Sequence, residues 1–553
     1  MMHVMAVKQV HETQPAIHHC RIPGWLEMLA AALFGAAAML VIQSATPYVA
    51  GNDSYYHLAM ARMLPDEGFI KTFPWLHWTL FRDAFVSHHH GFHVLLAPLV
   101  RWSDRITGEA FLGGKIAAML AMGTSAALFV HILRRWHVRH RWFWVLALAC
   151  LPWHFWLRHS FIRAPLIGLP LMMAALPLVL RRRYKLLAVL GFVFVHIYGG
   201  AVVFLLVPLA AAGAEFATGR PWRIVLAAPF ASSIGLLMGL VIHPYFPANF
   251  RFLYTQLFET GLGAPSESGI EWKPFNAMFF IQMAWPLIVA WVVCAVARLA
   301  RRTPITRSEM ILLLTNLAFF ALTCKSRRFI EYWPVFCALH AAYLLDRATR
   351  GRTPLTAPLV RLGPAPRFGL AILLTAGALR YGYANLLHTT REAQPGANVG
   401  AIRRAMNFLK ENSPADSLVL TDDWDIFPYC FYYNQHNVFA VGLDPVFTSR
   451  PYPALWARYR AITRGQTPTS LPADVIGAAG FGHEDVTLDD VESEFAASYV
   501  LVCRDHPALR AKLDERPDLF TCVYPPRGDT PLAQGAAIRI YRVFRSATTR
   551  AAH

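Results

Sequence analysis

The sequence predicts an α-helical polytopic membrane protein of about eleven spans, with a small α/β soluble domain at its C-terminal end. Three observations predict this. Of the 553 residues, 55% are hydrophobic and only 16% charged, where an average soluble chain carries roughly 25% charged residues. Long stretches hold no charge at all, and crossing the bilayer core takes about 20 apolar residues. Beyond residue 388 the pattern changes to short strands alternating with helices, as in a small α/β unit. The apolar excess excludes a string of soluble domains, a disordered chain and a small disulfide scaffold. The net charge of +18 resembles a nucleic-acid footprint, but Lys and Arg collect in short cytoplasmic loops of membrane proteins. Nucleic acid is therefore excluded as a partner, and the lipid bilayer is the first partner expected.

Residues 1–23 read as a cytoplasmic N-terminal segment. No small-residue cleavage site follows the first apolar run, so that run is expected to remain as a span. Residues 24–387 then form the transmembrane domain. Spans are expected near 24–43, 115–133, 142–157, 164–180, 184–198, 200–216, 224–243, 276–298, 309–323, 331–346 and 368–386. The stretch 184–216 reads either as two spans turning at His196 to Gly200 or as one long tilted helix. Basic loops at Arg134 to Arg141, Arg181 to Lys185, Arg298 to Arg307 and Asp346 to Arg367 alternate with less basic ones. Placing the basic set in the cytoplasm puts the N-terminus inside and the tail, 388–553, outside.

The outer face would then hold a long first loop (44–114), an Arg-flanked turn at 158–163, a loop at 244–275 and the turn Lys325 to Arg328. In the tail, Gly396 to Lys410 has its apolar residues on one helical face. Ser417 to Leu420, Tyr499 to Cys503, Phe520 to Tyr524 and Ile538 to Val543 read as strands, Pro507 to Glu515 as a helix, and Asn434 to Asn437 as a turn. None of the eight cysteines forms a C-x-x-C pair; one disulfide among Cys430, Cys503 and Cys522 is conceivable.

The chemistry should lie on the outer face. Gly51-Asn52-Asp53-Ser54-Tyr55-Tyr56-His57 follows the first span. Asp53 there is either a helix N-cap or a carboxylate facing a lipid headgroup. Arg82-Asp83 leads into His88-His89-His90-Gly91-Phe92-His93. His89 and His93 share a helix face, and imidazole suits transition metals. A metal set would combine Asp53, His57, Asp83, His89 and His93; the alternative is a histidine-rich entry into the headgroup zone. Arg158 and Arg163 either bind phosphate, which guanidinium suits, or merely flank a short loop. Lys325, Arg327 and Arg328 lie on the non-cytoplasmic side, against the charge rule. They read as a phosphate clamp, or as a local pair of Arg328 with Glu331.

The Asp-x-Tyr-Tyr-His run after the first span resembles the catalytic subunit of oligosaccharyltransferases. More broadly it is similar to the GT-C class of membrane glycosyltransferases, which use polyprenyl-phosphate-linked sugar donors. The resemblance implies that Asp53 is the main catalytic or metal-binding carboxylate, assisted by a divalent metal such as Mn2+ or Mg2+. Tyr55 and Tyr56 beside it are candidates for acceptor contact. The family carries a second acidic motif in the next external loop, but the matching turn here, Trp156 to Pro165, has no carboxylate. Asp83, Glu267 or Glu271 remain as sources, if there is one. A glutamate on a later external loop orders over substrate in the family; Glu267 and Glu271 match by position and type. Trp424-Asp425 matches half of the family's acceptor-recognition motif, whose Tyr-Gly half is absent.

The expected function is transfer of a sugar or oligosaccharide from a polyprenyl-linked donor to a glycan, lipid or protein acceptor on the extracytoplasmic face. The expected location is a bacterial inner membrane with the tail in the periplasm. A flippase or transporter of lipid-linked glycans, or a non-catalytic relative that binds them, are the alternatives.

Overall fold

A computed structural model describes residues 23–262, 269–350, 364–471, 485–526 and 536–544. Four helices are long and apolar enough to cross a membrane: α1 (Gly24–Gln43), Phe111–Arg135, Ala277–Leu299 and Arg307–Lys325. A fifth apolar unit, Trp153–Ser160 followed by Pro165–Leu180, is bent by 118°. The apolar helices Arg141–Cys150, Tyr184–Ile197, Ala201–Ala217 and Ala227–Val241 are shorter. By length and composition alone the described residues thus give four or five candidate spans, where the sequence predicts about eleven. Pro152 divides the expected span 142–157, and 184–216 turns at Tyr198-Gly199-Gly200, as its two-span reading expects, into two helices shorter than a full crossing. Large apolar side chains such as Leu33, Phe230 and Trp285 remain exposed on these helices, as lipid-facing surfaces do.

The helices approach closely through small residues, the usual device where hydrocarbon surrounds the pair. A Cβ on Gly35 of α1 would come within 2.8 Å of the Met122 carbonyl oxygen. One on Gly235 would come within 2.0 Å of the Ala188 carbonyl oxygen.

The tail is a five-stranded sheet in the order β2-β1-β5-β7-β6. Here β1 is Leu418–Thr421, β2 Val438–Phe439, β5 Tyr499–Cys503, β6 Phe520–Tyr524 and β7 Ile538–Val543; β3 (Thr469–Ser470) and β4 (Asp485–Val486) form a separate pair. β1 runs parallel to β2 and β5, while β7 runs antiparallel to β5 and β6. All the expected strands are present, and the expected helices appear as Val399–Asn412, capped by Asn398, and Pro507–Asp514. The expected turn is fixed by Asn434, whose Oδ1 accepts from the amides of His436 and Asn437. All seven described cysteines are free.

The first loop locks this sheet to the helical part. Trp75 to Trp78 lie along β2: Phe439 N donates to Trp75 O, His77 N to Phe439 O and Trp78 N to Ala440 O, each at 2.9 Å. Helix Asp53–Glu67 packs on helix Phe427–Tyr433, with Tyr55 and Tyr429 ring centroids 4.4 Å apart. Arg62 bonds both Asp104 and the Tyr432 hydroxyl.

Candidate active site

The site is assembled where the start of the first loop meets the bent pair. Gln43 Nε2 donates to Ser160 O at 2.7 Å, and Ile162 N donates to Ser54 Oγ at 2.9 Å. Gly51 has φ +74°, and a Cβ there would come within 2.9 Å of the Phe161 ring, so glycine permits the contact. Asn52, not Asp53, caps the following helix: its Oδ1 accepts from Asp53 N. The capping role expected for Asp53 is thereby filled, and its carboxylate is free to point elsewhere.

It points to Arg163, whose Nη1 lies 3.3 Å away. Arg163 belongs to a cluster of three arginines and three carboxylates. Glu331, fully buried, accepts from Arg158 Nε at 2.6 Å and Arg163 Nη2 at 2.7 Å. Glu271 accepts from Arg158 at 2.8 Å, Arg163 at 3.1 Å and Arg328 at 3.1 Å. Burial would raise the Glu271 carboxyl, but Arg328, Arg158 and Arg163 hold it well below the usual carboxylate range. The Ile270–Trp272 turn that carries Glu271 is itself fastened, by Ser326 Oγ donating to Glu271 O and by Arg328 lying over the Trp272 ring.

Asp53, Glu271, Arg163 and Arg328 line one cavity of about 100 Å³, together with Tyr56, His57, His88, His89, Gln256 and Asp444. Burial, with Arg328 second, presses His88 down to about 3; a neutral imidazole brings no positive charge to an anion. A larger groove of about 480 Å³, lined by Val86, Phe252 and Tyr254, adjoins the cavity at Val86.

The other expected site residues distribute as follows. Of the cationic turn, only Arg328 joins the cluster. Lys325 is exposed at its helix end, and Arg327 donates to Pro274 O at 3.2 Å. Glu331 pairs with Arg158 and Arg163 rather than with its neighbour Arg328, because the short turn Arg327–Glu331 sends it inward. Glu267 lies outside the described residues. Tyr56 lines the cavity, but Tyr55 is fully buried with its hydroxyl on Val49 O, which makes it a packing residue. Trp424 and Asp425 sit in a turn at the rim, where Asn52 Nδ2 donates to Asp425 O at 3.3 Å. Burial, then Asp423 and Asp422, push Asp425 up to about 7.

The expected metal set is brought together only in part: Asp53, His57 and His89 line the cavity, while Asp83 does not. His57 Nδ1 and His93 Nε2 face each other at 2.8 Å, His93 Nδ1 meets Ser87 Oγ, and His89 Nδ1 accepts from Gly199 N. Asp83 is exposed. Among the described residues, ligand atoms gather instead at His90, His196 and His243, and at Asp422, Cys503 and Asp505. Mg2+ is usually held by one or two carboxylates together with substrate phosphate; Glu271 and Glu331 are taken by guanidiniums, which leaves Asp53 and Asp444 on the cavity wall as the carboxylates that could hold an ion. The sequence does not single out Asp444, and it marks Glu331 only as a partner of Arg328, not as part of the site.

No protein-family model and no curated protein sequence matches the chain. Solved structures do match. The archaeal oligosaccharyltransferase AglB from Archaeoglobus fulgidus, in complex with an inhibitory peptide and a dolichol-phosphate, is 13% identical with a TM-score of 0.57. That match covers 94% of this chain and 74% of AglB. ArnT from Cupriavidus metallidurans, bound to undecaprenyl phosphate, is 14% identical with a TM-score of 0.53, over 94% of this chain and 98% of ArnT. The chain has the GT-C fold. An Archaeoglobus fulgidus oligosaccharyltransferase complex with Zn and sulfate also matches, at 13% identity and a TM-score of 0.54, over 92% of this chain and 70% of that one.

Proposed function

We propose that the chain is an integral membrane glycosyltransferase. It moves a sugar or oligosaccharide from a polyprenyl-phosphate-linked donor to an acceptor on the face that carries the C-terminal domain. The observation that carries this reading is the Asp53 carboxylate opening onto a cavity beside three buried guanidiniums. The lipid phosphates named with both AglB and ArnT support the donor class.

In this reading an acceptor oxygen or nitrogen attacks the anomeric carbon, the bond from that carbon to the phosphate oxygen breaks, and the lipid phosphate leaves as an anion. Arg158, Arg163 and Arg328 share the charge that develops on it, the kind of preorganised stabilisation that contributes most to such reactions. Glu271 now occupies their shared centre as a carboxylate; donor phosphate would take its place. Asp53 orients the acceptor and receives its proton. Tyr56, Trp424 and Asp425 border the acceptor side, and the apolar groove at Phe252 and Tyr254 is a path for lipid. No step runs through a metal at Asp53. Eleven crossings, an inside N-terminus and a periplasmic domain at a bacterial inner membrane complete the proposal.

The test uses membranes holding wild type or Asp53→Asn, supplied with labelled polyprenyl-linked sugar. Transfer should fall by about 10²- to 10⁴-fold in the variant. Undiminished transfer would remove Asp53 from the chemistry. Movement of intact donor across the bilayer without transfer would replace the reading by a transporter.

A further inference from the structure

We infer that His90, His196 and His243 form a site for a single transition-metal dication, zinc by preference, separate from the Asp53 cavity. The three come from different elements: His90 opens the helix His90–Thr107 in the first loop, His196 lies in the last turn of Tyr184–Ile197, and His243 follows Ala227–Val241. One ligand atom from each lies within 4.8 Å of the others. His196 Nδ1 and His90 Nε2 are 3.0 Å apart, a few tenths of an ångström short of the roughly 3.3 Å between two nitrogens on a tetrahedral zinc with bonds of about 2.0–2.1 Å.

The facing pair, His196 Nδ1 and His90 Nε2, lies at hydrogen-bond distance, while the opposite ring nitrogens, His90 Nδ1 and His196 Nε2, are buried with no partner. The approach is also enforced. A Cβ on Gly91 would come within 2.7 Å of the His196 carbonyl oxygen, so a glycine beside His90 lets the two helix ends meet. His243 Nδ1 accepts from the Tyr245 amide at 3.2 Å. The neighbouring cation, Lys71, is tied to the Pro244 carbonyl and lies over the Tyr245 ring. No carboxylate belongs to the group. Three imidazoles are a zinc donor set, whereas hard Mg2+ or Ca2+ would want oxygens.

The ion would fasten the first loop to two apolar helices. His90 directly follows His88 and His89, which line the Asp53 cavity, so the ion holds that wall in place without touching the reacting groups. The inference does not depend on the transferase reading, since its readout is bound metal.

The full chain, purified in detergent without chelators, is incubated with zinc, desalted and measured for metal. About one zinc per chain is expected in wild type, Asp53→Asn and His57→Gln, and less than a tenth of that in His196→Ala. In wild type, removing the ion with a chelator should lower the unfolding temperature, and zinc should restore it. That second measurement stands if the variant fails to fold. Absence of zinc from wild type, retention of zinc in a folded His196→Ala, loss of zinc in Asp53→Asn or His57→Gln, or an unfolding temperature indifferent to chelation would each overturn the site.

Discussion

The helical part carries ionic clusters at both ends, built in opposite senses. α1 measures the separation: Glu27 lies in its first turn and Gln43 at its end, about 24 Å apart at 1.5 Å per residue. At the Glu27 end the carboxylates are the buried partners. Glu27, Glu215, Glu309 and Asp346 are at most 8% exposed. Most of their arginines, such as Arg134, Arg139 and Arg182, are 32–52% exposed. Long side chains reach out to water from there while the acids close the helix ends. At the Gln43 end the arginines are buried, Arg158, Arg163 and Arg328 being 7–16% exposed. Here Asp53 is 40% and Glu271 24% exposed. A closed pair at one end stabilises; at the other the cluster is inverted and partly open, and in the proposed reading its guanidiniums exchange Glu271 for the donor phosphate. Glu331, fully buried, is the exception that anchors the open cluster from below.

That contrast can be broken in order of expected effect. Glu331→Gln removes the anchoring carboxylate and leaves Arg158 and Arg163 short of a buried partner. The expected loss of stability is about 3–5 kcal/mol, read as unfolding temperature in detergent; an unchanged temperature would mean that the cluster is not locked from below. Glu27→Gln at the closed end strands arginines that can still reach water, so its loss should be smaller, about 1–2 kcal/mol. Its transfer per folded molecule should equal wild type, and a selective loss of transfer there would erase the distinction between the two ends.

The smallest effect is in the C-terminal domain. The Asp422 carboxylate, 3.0 Å from His506, holds the imidazole up to about 9. The folded form therefore binds this proton more tightly than the unfolded chain, whose histidine titrates near 6.5. The contribution is fully present below about pH 6.5 and is lost as pH rises towards 9. Roughly 1 kcal/mol is expected after screening at this partly exposed site. His506→Asn should flatten the pH dependence of unfolding across that window; a profile unchanged by the substitution would remove the pair from the account.

Much of this was legible in the sequence for physical reasons. Strand alternation exposed the C-terminal sheet, and the turn at Asn434 followed from its side-chain chemistry. Cations against the charge rule marked Arg158, Arg163, Lys325, Arg327 and Arg328, of which only Arg158, Arg163 and Arg328 join the cluster. What stayed hidden depends on tertiary direction. Spacing matched Glu331 to Arg328, but the turn geometry gave it to Arg158 and Arg163. Adjacent histidines suggested one metal set around Asp53, yet the backbone sends His57 to His93 and His90 to His196. Tyr55 and Tyr56 are indistinguishable in sequence; both are buried, but helix phase sends the Tyr55 hydroxyl to Val49 O while Tyr56 lines the cavity. The strand-like pairing of Trp75 to Trp78 with β2 is too short for any periodicity to reveal.

The central claim is that the buried arginines at the open end hold a lipid phosphate, and binding of polyprenyl phosphate to the purified chain tests it most directly. Arg328→Ala should weaken binding by about tenfold, the worth of one charge-assisted hydrogen bond, while Arg134→Ala at the closed end leaves it unchanged. Equal binding by wild type and both variants, or a loss confined to Arg134→Ala, would contradict the account.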